Sequence, residues 1–146
     1  MESVWCMVGQ LGDLDIDVED IAEVVLKFQS GVFGSVNLNY QQRPPVHSIE
    51  IVGTKGTVCW ENQDGITRIY QTSTQEWDVI SPPEGFDRND IFLAEISHFL
   101  EVVTGVAQPV CNLVDGIRAL QIAVAARSST LTNTQVLYVG RGVISG

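Results

Sequence analysis

"DIAEVVLKFQSGVFGSVNLNY" occupies residues Asp20–Tyr40 and decides the fold. In its second arm Val32, Gly34, Val36, Leu38 and Tyr40 fall on one side, and Phe33, Ser35, Asn37 and Asn39 fall on the other. A period of two marks a strand with one buried face, because successive side chains of an extended backbone point in opposite directions. The arms meet at Gln29-Ser30-Gly31. Gly31 suits the left-handed position of a three-residue hairpin loop. The stretch is a β-hairpin, and the question is what sheet it joins.

Upstream, Ser3–Gly9 is a short apolar run that reads as an opening strand, followed by the acidic "GDLDIDVED" at Gly12–Asp20. Downstream, "QQRPPV" at Gln41–Val46 is a connector, since two prolines cannot donate to a central ladder. "HSIEIVG" and "TVCWEN" read as strands joined at Gly53-Thr54-Lys55-Gly56, and "QDG" at Gln63–Gly65 turns the chain into "ITRIYQT". "EWDVI" at Glu76–Ile80 closes this run of strands.

After "SPPEGFDRND" the period changes. Phe92, Ile96, Phe99 and Val103 share one helical face, with Asp87 or Asn89 as cap and Gly105 as stop. Asn112 and Asp115 form a second N-cap pair, ahead of the stripe Leu113, Ile117, Leu120 and Val124. "TQVLYVG" returns as a final strand. Strands followed by helices predict an α+β fold over residues 1–146: a mostly antiparallel open-faced sheet with helices packed on one face. The open face either stays in water, as an antiparallel sheet allows, or pairs with a second copy about a twofold axis, and the apolar Phe33, Val52, Val58 and Trp60 favour the pair.

Composition narrows the function. At 146 residues and 45% hydrophobic content the chain has material for a core, and a domain of this size buries about 70% of its unfolded surface. A net charge of −10 with only eight Lys and Arg argues against a nucleic-acid partner, which requires clustered cations. No apolar stretch reaches the roughly 18 residues that span a bilayer. No basic region precedes an apolar run at the N-terminus, so the expected location is cytoplasmic. Cys6, Cys59 and Cys111 stand far apart among apolar neighbours, as reduced thiols do.

Motifs for chemistry are sparse. Asp13, Asp15 and Asp17 suggest a calcium loop, but Val18 and Val24 occupy the positions where such a loop needs Gly and Glu. No Cys/His cluster offers metal ligands. His47 and His98 have no partner at triad spacing and read as structural or surface residues. No Gly-x-Gly-x-x-Gly turn leads from a strand into a helix, so no dinucleotide cradle is encoded. Tyr40, Gln42 and Arg43 leave a strand end together with a hydroxyl, an amide and a guanidinium. They are the candidate substrate contacts, for a sugar or a carboxylate, unless they merely decorate a loop.

The order of signals is more specific than any one of them. The Asp20 lead-in, Phe28 with Gly31 and the Gly53…Gly56 turn come first. Glu95 and Phe99, Gly105 and Pro109, and then Asp115-Gly116 before a helix ending at Ser128 follow. Over roughly residues 3–139 this series resembles the C-terminal domain of the glucose–fructose oxidoreductase/inositol dehydrogenase/rhizopine-catabolism (Gfo/Idh/MocA) family. The resemblance implies an N-terminal Rossmann domain holding NAD or NADP, absent from this chain. It implies a C-terminal domain that closes the substrate pocket and commonly forms the oligomer through its open sheet. It further implies hydride transfer on a sugar, inositol or related polyol.

The family's glycine-rich turn, its Glu-Lys-Pro lysine and its Gly-x-His-x-x-Asp histidine do not occur here. No catalytic, cofactor-binding or metal residue is therefore carried over, and the chain alone is expected to be inactive. The competing reading is a non-enzymatic, self-associating scaffold or small-molecule-binding domain of the same fold, since a fold does not fix a function.

Overall fold

The computed structural model describes residues 1–132, 134 and 136, and the backbone of 137–139 and 142–145. In chain order the elements are β1 (Ser3–Gly9), β2 (Ile21–Lys27), β3 (Phe33–Asn39), β4 (Ser48–Gly53), β5 (Gly56–Glu61), β6 (Thr67–Gln71) and β7 (Glu76–Ile80). Then come α1 (Arg88–Val103), α2 (Leu113–Thr132), β8 (Val136–Val139) and β9 (Gly142–Ser145). They divide into two compact units, Met1–Gln41 with Val110–Gly146, and Gln42–Pro109.

The first unit is an antiparallel sheet in the order β3-β2-β1-β8-β9. Its hairpin closes as expected: the Phe28 N–H donates to the Val32 carbonyl at 2.8 Å and the Gly31 N–H to the Phe28 carbonyl at 2.9 Å. Gly31 sits at φ +83°. Cross-strand pairing puts Gly34, Val36 and Leu38 beside Leu26, Val24 and Ala22, which in turn lie beside Val4, Cys6 and Val8. Phe33, Ser35 and Asn37 share the other face with Lys27, Val25 and Glu23.

α2 covers the face that carries Val4 and Cys6. These two, with Ala125, Ala126 and Val136, form the buried core, and Met1, Val8, Val24 and Leu26 pack against it. Among the described residues β8 runs beside β1 at Ser3 and Val4. Beyond that point α2 takes over the role of a strand. The Cys6 N–H donates to Ser129 Oγ at 3.2 Å, and Thr130 Oγ1 donates to the Cys6 carbonyl at 3.1 Å. The Ser129 hydroxyl, wholly buried, donates its own hydrogen bond to the Thr134 carbonyl at 2.6 Å.

This reverses one expectation. The stripe Leu113, Ile117, Leu120 and Val124 was expected to face the core, yet all four are exposed, Leu120 at 64%. At about 100° per residue the stripe lies on the side of α2 opposite Ala125, Ala126 and Ser129. Small side chains let the helix approach the sheet closely enough for the two hydroxyls to reach Cys6.

Between β1 and β2 the acidic loop is tied to Asp20, which is 3% exposed. Its carboxylate accepts the Leu11 N–H at 2.8 Å, the Gly12 N–H at 2.7 Å and the Gln41 amide at 3.0 Å. These donors, the Leu11 N–H foremost, hold the carboxyl below its ordinary value against the opposing effect of burial.

The second unit is a four-stranded meander, β4-β5-β6-β7. Its first turn requires glycine: Gly56 lies at φ +155°, and a Cβ there would stand 1.9 Å from the Tyr70 carbonyl oxygen. α1 opens on Asp87, whose side chain accepts the Asn89 N–H at 2.8 Å while Asp90 reaches back to the Asp87 N–H at 2.9 Å. It ends at Thr104 before Gly105 at φ +77°. Its expected core stripe is likewise exposed, Phe99 at 59%, and none of its residues is buried.

The α+β class and the antiparallel pairing follow the sequence reading, but the strands form two sheets. The connector holding Pro44 and Pro45 falls between them. The apolar group expected on one open face is also dispersed. Phe33 belongs to the first sheet, while in the second the two-residue turn after Gly53 puts Val52 opposite Thr57, and Val58 opposite Ile51. Val52 and the pair Val58–Trp60 therefore lie on opposite faces. β9 was not anticipated.

Two outcomes are expected. Because the folded-state pKa of Asp20 is depressed, its contribution is complete above the unfolded value of about 3.9 and is lost as pH falls through the folded value. Asp20→Asn should lower the melting temperature at neutral pH, with the gap to wild type closing below about pH 4 in melts followed by circular dichroism. Ser129→Ala strips the buried Cys6 N–H of its acceptor and should cost about 1–3 kcal/mol in urea unfolding.

Candidate functional site

A cavity of about 460 Å³ lies within the second unit, lined by Pro44, Pro45, Val46, His47, Glu61, Asn62, Gln63 and Arg88. Its walls follow from local chemistry. Pro44 and Pro45 lack an N–H, so this segment stays out of the ladder until β4 begins at Ser48. β4 and β5 then pair from Gly53 opposite Gly56 back to Ser48 opposite Glu61. The pairing is extended by the Asn62 N–H, which donates to the His47 carbonyl at 2.9 Å. That bond sets the imidazole wall beside the amide wall. The His47 ring stands edge-on to Trp60, centroids 5.3 Å apart, which fixes its plane.

The turn that carries Asn62 and Gln63 is held from below by Asp64. Its carboxylate accepts the Ile66 N–H at 2.8 Å and the Arg68 guanidinium at 2.9 Å. The Ile66 N–H, with Arg68 after it, keeps this carboxyl below its ordinary value. Gly65, at φ +66°, completes the turn by donating its N–H to the Glu61 carbonyl at 3.0 Å. The rim thus presents an imidazole, a carboxylate, two amides and a guanidinium over a proline floor. Such a set binds hydroxylated ligands through directed hydrogen bonds.

Of the three residues singled out from sequence, Tyr40 follows β3, with its N–H donated to the Asp20 carbonyl. Gln42 and Arg43 open the second unit, where Arg43 donates to the Gln42 carbonyl at 3.0 Å. The cavity lining starts one residue later. Sequence reasoning missed Glu61, Asn62, Gln63 and Arg88 as a group and gave His47 a structural or surface role. Counting back along both arms from the Gly53–Gly56 turn places His47 opposite Asn62, so part of the rim was within reach. Nothing in the sequence pointed to Arg88.

Burial, with the Glu50 carboxylate beside it, pushes the Cys59 thiol up, away from a reactive thiolate. Among the described residues no three His, Cys, Asp or Glu side chains gather as a metal site would require. Neither helix start suits a cofactor pyrophosphate. Asp87 and Asp90 occupy the first turn of α1, and Asn112 with Asp115 occupies that of α2, so both termini already face carboxylates. Among the described residues no helix is long and apolar enough to cross a membrane.

Two antiparallel sheets with two helices define an α+β domain. Residues 7–137 match the model of the oxidoreductase family C-terminal alpha/beta domain, and the chain belongs to that family, the Gfo/Idh/MocA oxidoreductases. No curated protein matches it in sequence.

Solved structures share the fold. A levoglucosan dehydrogenase in complex with NADH superimposes with a TM-score of 0.81 at 15% identity, over 93% of this chain and 44% of the other. An oxidoreductase domain protein from Kribbella flavida gives 0.81 at 16% identity, over 93% and 44%. The WlbA dehydrogenase from Bordetella pertussis, in complex with NADH and UDP-GlcNAcA, gives 0.69 at 21%, over 94% and 42%. This chain therefore spans less than half the length of these structures.

The rim depends on Asp64. Asp64→Ala should speed amide hydrogen exchange at Ile66 severalfold while leaving β4 and β5 protected, as read by exchange-detected NMR.

Proposed function

We propose that this chain is the C-terminal domain of an NAD(P)-dependent oxidoreductase acting on a sugar, inositol or related polyol. Its part is to bind the hydroxylated substrate and to carry an oligomer interface, while the nicotinamide sits on a Rossmann domain of the same polypeptide. The observation that carries this reading is the family match over residues 7–137 in a chain that spans only 42–44% of relatives solved with NADH.

Two surfaces support it. α2 is buried on its small-residue side and apolar on the opposite side, the pattern of a helix covered all round. Its outer stripe is the surface we assign to contact with the rest of the polypeptide. The uncovered face of the first sheet carries Met7, Val25 and Phe33, the last 69% exposed, and suits a second copy in an isologous pair. Tyr40, Gln42 and Arg43 remain the proposed substrate contacts nearest the chain's own connector. With no acid/base residue assigned here, proton transfer belongs to the rest of the enzyme. Losing such a group forfeits on the order of 10²–10⁴-fold in rate, so this chain alone is not expected to turn over.

The test is nicotinamide absorbance with a panel of sugars and inositols. The polypeptide extended through its nucleotide-binding segment should reduce NAD or NADP with at least one of them, and the chain alone with none. An extended polypeptide that binds neither nucleotide would overturn the reading.

A further inference from the structure

We infer that the cavity of the second unit selects a ligand bearing a carboxylate as well as hydroxyls, an aldonate or uronate in chemical class, with Arg88 as the group that reads the carboxylate. The inference rests on the proposed function only for the hydroxylated part of the ligand. The anionic part rests on how charge is distributed.

The chain carries 18 Asp and Glu against eight Lys and Arg and two His. An anionic ligand therefore approaches a protein whose overall field repels it. The cavity lifts that imbalance locally, because the Arg88 guanidinium offsets the single carboxylate of Glu61 in its lining and His47 adds an imidazole. Both charged groups are available. The ion pairs among the described residues are Lys27–Glu2, Arg68–Asp64 and Arg118–Asp115, and none draws on Arg88 or Glu61.

A guanidinium presents a planar fork that matches one carboxylate with two parallel hydrogen bonds. Glu61 accepts from hydroxyls, and the amides of Asn62 and Gln63 donate and accept. A phosphate fits less well, since its second charge would meet Glu61 with no second guanidinium in the lining. The volume lies within the range of small-molecule sites.

The experiment is an NMR titration of the whole chain with D-glucuronate, and with D-glucose as the neutral counterpart. Glucuronate should shift the amides of Asn62, Gln63 and Arg88 saturably, with an affinity on the order of tenfold above that of glucose. Added salt should weaken glucuronate and leave glucose unchanged. Arg88→Gln, with an otherwise unaltered spectrum, should bring the two affinities together. Equal affinities in the wild type, a preference that survives Arg88→Gln, shifts confined to other residues, or no binding of either sugar would each overturn the inference. The titration uses no nicotinamide, so its failure is distinguishable from failure of the oxidoreductase reading.

Discussion

The first unit depends on how α2 meets β1. Beyond the described pairing of β8 with Ser3 and Val4, Cys6 presents a backbone N–H and carbonyl to the helix, and Ser129 and Thr130 satisfy both. That demand fixes the rotation of α2 about its axis. The serine and the alanines beside it must face inward, so the leucines, isoleucine and valine must face outward. An outward apolar stripe in turn requires something to cover it. A backbone hydrogen-bonding requirement at one residue of β1 thus leads to an exposed apolar stripe on the far side of α2.

The second unit is organised by turns. Gly56, which admits no Cβ against the Tyr70 carbonyl, sets the register of β4 against β5, and that register carries His47 to Asn62. Asp64 then fixes the next turn through the Ile66 N–H and Arg68. The cavity is the consequence of two tight turns and a proline segment, and its chemistry comes from side chains these carry together with Arg88 at the start of α1. Asp20 does comparable work in the first unit, with one carboxylate gathering the donors of a loop rich in other acids.

Much of this was legible in the sequence, for local reasons. The hairpin at Gly31, the strands at Ser3–Gly9 and Glu76–Ile80, and the caps at Asp87 and Asn112 each follow from residues within a few positions of one another. The face of α2 did not, because large apolar residues outnumber small ones and hydrophobic periodicity weighs size. The choice was made by hydroxyls answering Cys6, more than 120 residues away in sequence. The split into two sheets was signalled by Pro44-Pro45 only as a connector. The cavity rim escaped notice because Arg88 reaches it from a helix that no spacing rule links to β4 or β5. Tyr40, Gln42 and Arg43 end one residue short of the residues that line the cavity.

Family membership, a chain that spans less than half of its structural relatives and a helix apolar on two sides all favour one account: a substrate-binding half whose nicotinamide site is encoded elsewhere in the same polypeptide. The most direct measurement is the coding sequence immediately upstream of Met1. The account expects an in-frame segment of roughly one further domain, with a glycine-rich strand-to-helix turn and the lysine and histidine absent here. A stop codon followed directly by a functional start site at Met1 would contradict it, leaving a stand-alone binding domain of the same fold.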